Sequence, residues 1–155
     1  MDDHAATSEQ ALLSFDRYLD AAGVRKDLIA IKTNAITEGE QYASQATPKE
    51  VGRRTVELWR GAIDDRVKLV LMLSGGLSDR TSTEYLNAIA LENTRNNTGF
   101  DVSSSFGRAA HRRPVEIWSK DPLRNVSWAQ DSFAINAVQN ELARQGNYSS
   151  PDDPR

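Results

Sequence analysis

Few side chains in this chain are equipped for chemistry. It has two histidines, His4 and His111, and no cysteine. The histidines stand far apart, no His-x-x-x-His pair or EF-hand loop occurs, and thiol chemistry is excluded. Neither a metal nor a cofactor is expected. Ser74-Gly75-Gly76 lacks the Gly-x-Ser-x-Gly frame of a nucleophile elbow and reads as a turn. No Gly-x-x-x-x-Gly-Lys phosphate loop is present. The charged residues say more. Arg95, Arg108, Arg112, Arg113 and Arg124 gather around a Gly-, Ser- and Asn-rich segment and the last helical pattern. They read either as ordinary surface charge or as a phosphate-binding strip, since a guanidinium grips phosphate in bidentate fashion. Glu57, Asp101 and Glu116 lie in or beside segments that look half buried. Each is either solvated or salt-bridged, or some of them face like charges on neighbouring subunits and repel when ionised.

The elements that would position these groups are read from caps and periods. Thr7 with Gln10 forms a capping box ahead of Ala11, Leu12, Phe15, Leu19 and Ala22 at helical spacing, stopped by Gly23. A second helical pattern covers about 25–38, with Leu28, Ile31 and Ala35 on one face. Thr47, Pro48 and Glu50 open a third helix that ends at Gly61. The run "RVKLVLML" at 66–73 is short, β-branched and apolar, and reads as a strand closed by Ser74-Gly75-Gly76. Thr81 and Glu84 open a helix to about Arg95. Residues 96–113 read as a long loop. Asp121-Pro122 starts a final helix to about Arg144, with Trp128, Ile135, Val138 and Leu142 in register and Gly146 as its stop. The residues thus give about five helical segments, one short strand and one long loop, with the longest helices packed side by side as a bundle. One domain spans 1–150 and a polar tail 151–155.

Bulk properties agree with a single globular domain. The chain has 155 residues, 39% hydrophobic and 26% charged, with a net charge of −3. No leader or membrane-length apolar run is visible. The negative balance argues against holding nucleic acid by bulk charge, yet leaves room for a local basic surface.

Four segments, taken in order, resemble the coat proteins of rod-shaped plant RNA viruses of the tobamovirus (tobacco-mosaic-like) type. They are "DLIAIKTNAI" at 27–36, "RRTVELWR" at 53–60, "ENTRNN" at 92–97 and "SFAINAVQNELARQGNYSS" at 132–150. The resemblance implies an all-α fold, an antiparallel four-helix bundle with a small outer β element and a long inner loop, in a non-enzymatic capsid protein that assembles many copies of itself into a disk or helical rod around single-stranded RNA. Its expected locations are the virion and, during assembly, the host cytoplasm. It also implies RNA contacts for Arg95, Asn97 and Arg124, helped by Arg112 and Arg113. Glu57, Asp101 and Glu116 become assembly-switch carboxylates. The competing expectations are a cellular helical-bundle interaction module without RNA binding, and an enzyme working from the 108–116 segment.

Overall fold

The computed structural model describes residues 1–39 and 45–149. Within them the chain alternates strand and helix. Helix α1 (Asp2–Ala21) is followed by strand β1 (Ala30–Asn34), α2 (Pro48–Ala62), β2 (Leu69–Leu73), α3 (Asp79–Asn96), β3 (Asp101–Ser104), α4 (Arg108–Lys120) and α5 (Val126–Arg144). The three strands form one parallel sheet in the order β1-β2-β3. Parallel neighbours cannot be joined by hairpins, so α2 and α3 serve as crossovers. The antiparallel four-helix bundle is thereby overturned. The β element is the spine of the fold rather than an outer trimming.

The correction begins at 25–38. Leu28, Ile31 and Ala35 fit a helical face, but Ile31 and Thr33 also alternate with Ala30, Lys32 and Asn34. The two-residue period prevails, with Ile31 and Thr33 buried and their neighbours exposed. A short 3-10 turn at Lys26–Leu28 is the only helical piece there. The supposed loop 96–113 holds both β3 and the start of α4. The final helix begins later than expected. Asp121 caps a turn by accepting the Leu123 and Arg124 N–H groups, and α5 starts at Val126. Its buried stripe is polar as well. Asn136, Asn140 and Ala143 face inward, while Trp128, Ile135 and Val138 are exposed. Asn140 accepts from the Thr83 hydroxyl at 2.8 Å, and Asn136 donates to the Ala109 carbonyl at 2.9 Å. Amide hydrogen bonds, not the apolar register, seat α5 on α3 and α4.

Other expectations hold. Thr47 caps α2 by accepting the Glu50 N–H at 3.2 Å, with Pro48 in the first position. Strand β2 and helix α3 are present, although α3 is capped by Ser78 through the Thr81 N–H. Helix α1 starts ahead of the Thr7 box, and Gly23 beyond its end takes φ 65°. The 151–155 tail lies outside the described residues.

One face of the sheet carries Ile31, Val70, Met72 and Val102 into a core with Val51, Val56, Trp59, Leu86 and Ile89 from α2 and α3. The Ile36 N–H donates to Thr55 Oγ1 at 2.8 Å, tying the exit of β1 to α2. The opposite face is open. Ala30, Lys32, Asn34 and Asp101 are exposed there, and Leu69, Leu71, Leu73 and Ser103 are half-buried. All-parallel sheets ordinarily have both faces covered.

Candidate active site

The open face and the carboxyl ends of its strands bring together the groups that chemistry needs. Lys32 is the middle residue of β1, in register with Leu71 and, across it, Ser103. Strands in a sheet lie about 4.8 Å apart, so Lys32 and Ser103 flank the face at roughly 10 Å between backbones. Lys32 is the lysine that this face presents, and it has no ion pair or hydrogen bond among the described residues. Among the described residues its side chain therefore stands free of a local carboxylate.

The end of β2 runs into Ser74-Gly75-Gly76. Ser74 is buried, the Leu77 N–H closes the turn on the Ser74 carbonyl at 2.9 Å, and the two glycines take φ 55° and 95°. A left-handed pair of this kind suits glycine and aims backbone N–H groups outward. The end of β3 runs through Phe106 to Gly107, whose carbonyl accepts the Ala110 N–H at 2.9 Å and which offers no side chain to cap the Arg108 and Ala109 N–H groups. Arg108 then reaches back to the turn. Its Nη2 lies 3.6 Å from where a Cβ on Gly76 would stand. Backbone N–H groups, a helix N-terminus and a guanidinium converge there, which is the chemistry of a phosphate cradle.

The residues first assigned to RNA are placed apart. Arg95 sits in the last turn of α3, bonded to Glu92, and borders a groove with Pro48 and Tyr148. Asn97 is the left-handed cap of that helix, φ 47°. Arg124 is in the turn before α5, 3.8 Å from Asp121. Arg112 and Arg113 share a cleft with Arg108. Glu57, Asp101 and Glu116 stand on three separate elements. Glu57 on α2 accepts from Arg53 at 3.0 Å, Asp101 opens β3 3.4 Å from Arg144, and Glu116 lies along α4. Among the described residues no acidic or histidine cluster could hold a metal. Sequence reasoning passed over Lys32, and it took Ser74-Gly75-Gly76 for a bare turn. The missed signal was positional. Catalytic groups in parallel β/α folds collect where strands end, and phosphate sites form from loops of this kind plus a helix N-terminus.

A three-stranded parallel β/α sector with an exposed lysine on its open face, and glycine turns and a guanidinium at its strand ends, has the layout of part of a β/α barrel. The family model described as "Glycolytic: Fructose-bisphosphate aldolase class-I" matches residues 1–154. The chain belongs to the class-I fructose-bisphosphate aldolase family. It is 32% identical over 133 residues to a chloroplastic fructose-bisphosphate aldolase of Oryza sativa, covering 86% of this chain and 33% of that protein. It is 29% identical over 144 residues to a cytosolic fructose-bisphosphate aldolase of Arabidopsis thaliana, covering 93% and 39%. The solved Plasmodium falciparum aldolase, in complex with TRAP and a small-molecule inhibitor, superposes with a TM-score of 0.88 at 26% identity, over 96% of this chain and 42% of that one. The chain thus spans about a third of the length of the curated relatives it matches.

These matches overturn the coat-protein resemblance and what hung on it. The capsid role, the RNA partner, the virion location, the non-enzymatic reading and the helical-bundle module all fall with it, since the relatives are named as chloroplastic or cytosolic enzymes. The physical reason is that the four matched segments are short runs of common residue types. "DLIAIKTNAI", read above as part of a helix, holds strand β1 here.

Proposed function

We propose that this chain supplies the imine-forming and phosphate-holding sector of a class-I fructose-bisphosphate aldolase. Lys32 is the nucleophile. A lysine amine adds to a ketose carbonyl and expels water, forming a Schiff base. The nitrogen then draws electrons from the carbon–carbon bond that breaks. The Ser74-Gly75-Gly76 turn, Gly107 and Arg108 hold a phosphate of the bisphosphate and so fix which carbonyl meets the amine. The observation that carries the reading is the position of Lys32: an unpaired amine on the open face of a parallel sheet whose strand ends form an anion cradle. Covering that face would take Lys32 out of water, which activates a lysine nucleophile.

The test is reductive trapping. The 155-residue chain is incubated with dihydroxyacetone phosphate and borohydride, and the adduct is mapped by peptide mass spectrometry. The expected adduct is on Lys32, in preference to Lys49, Lys68 and Lys120. Lys32→Met removes it, and Arg108→Gln weakens it. Labelling spread evenly over the exposed lysines, or sparing Lys32, ends this reading.

A further inference from the structure

Among the described residues, Arg108, Arg112 and Arg113 are the arginines with neither a carboxylate nor a hydrogen-bond partner. Each of the others has one, down to Arg17 with Ser14 and Arg60 with Asn96. All three sit in the first two turns of α4 and line one cleft with Ser78, Asp79 and Glu116. Neither acid forms an ion pair with them.

The placement is unfavourable in three ways at once. Arg108 and Arg112 are four apart on one helix, so their like charges repel. Arg108 stands in the first turn of α4, where the macrodipole favours anions. Asp79, at the head of α3, and Glu116 line the cleft without pairing with the guanidiniums. One anion carrying more charge than a single phosphate would relieve all of these.

We infer that the cleft extends the phosphate cradle into a diphosphate site. One phosphoryl group sits at the Gly75-Gly76 turn against Arg108, and the next lies between Arg112 and Arg113. The ligand class is a pyrophosphate-bearing compound. The inference rests on the phosphate assignment made for Arg108 in the proposed function. It adds Arg112 and Arg113 as the residues that tell a diphosphate from a monophosphate.

Calorimetric titration of the chain with sodium pyrophosphate and with inorganic phosphate, at matched ionic strength, tests it. Pyrophosphate should bind about tenfold more tightly than phosphate. R112Q/R113Q should bring pyrophosphate down to the affinity of phosphate and leave phosphate unchanged. R108Q should weaken both. All these side chains are exposed, and circular dichroism checks that each variant is folded. Pyrophosphate binding no tighter than phosphate, or a preference that survives R112Q/R113Q, overturns the inference. If neither anion binds, the inference and the phosphate cradle both go. Failure to label Lys32 while the pyrophosphate preference stands sinks only the aldolase reading.

Discussion

Burying an ammonium is costly unless carboxylates surround it, and Lys26 meets three. Its Nζ lies 2.6 Å from Asp16, 2.8 Å from Asp20 and 3.2 Å from Asp64, with the side chain fully buried. Burial alone would pull the ammonium down, but the three acids more than offset it and hold Lys26 above the ordinary lysine value. Its contribution to stability is therefore complete at neutral pH and lost only in strong base. Asp64 moves the other way. Hydrogen bonds from the Arg66 side chain and backbone, then from Lys26, hold it well below the usual carboxylate range. A depressed carboxylate stabilises above its unfolded value and loses that contribution as pH falls through the folded one. Urea midpoints should therefore hold from pH 7 to about pH 4 and drop below that. Lys26→Met should lower Tm by several degrees at pH 7, because Asp16 loses its cation and Asp20 and Asp64 are left sharing Arg66, and should flatten the acid limb. An acid limb unchanged in Lys26→Met would detach this cluster from stability.

At the scale of elements, two glycines of one helix make opposite demands. Gly52 on α2 faces α3 so closely that a Cβ there would stand 2.6 Å from the Ala88 carbonyl oxygen. Backbone is in the way, so the helices must separate. Gly52→Ala should cost about 1–3 kcal/mol. Gly61, near the end of the same helix, has open space around it. Gly61→Ala should stabilise by up to about 1 kcal/mol, because alanine gives up less backbone entropy. Chemical denaturation of the pair, with slopes unchanged, reads both signs. The elements also show what the sequence discloses. Thr47-Pro48 with Glu50, and the apolar run at 66–73, were legible because a cap and a strand are local events. β1 was not. Its residues satisfy a helical and a strand period equally, and only pairing with β2, far along the chain, decides between them. The inward stripe of α5 was hidden for a related reason. Asn136 and Asn140 are buried by partners on α3 and α4, and no periodicity of hydrophobicity announces a buried amide.

Across the whole molecule, the candidate site exists only because three strands end at one edge. Lys32, the Gly75-Gly76 turn and Arg108 are separated along the chain, and parallel pairing alone assembles them. A sequence reading that finds one strand cannot assemble such a site, which is why the arginines were legible and the lysine was not. The order β1-β2-β3 has a consequence for the path to the native state as well. Both outer strands pair only with the middle one, so neither has a template until β2 arrives. Loop closure must be met before such distant contacts form. Among the described strands β2 thus belongs to the folding nucleus, and β1, which precedes it in the chain, waits for it. Val70→Ala should slow refolding, whereas Val102→Ala should chiefly hasten unfolding. Stopped-flow chevrons separate the two. A chain growing from its amino end would then hold Lys32 on an unpaired segment until residue 73 has emerged, and commit it to the sheet in one late step.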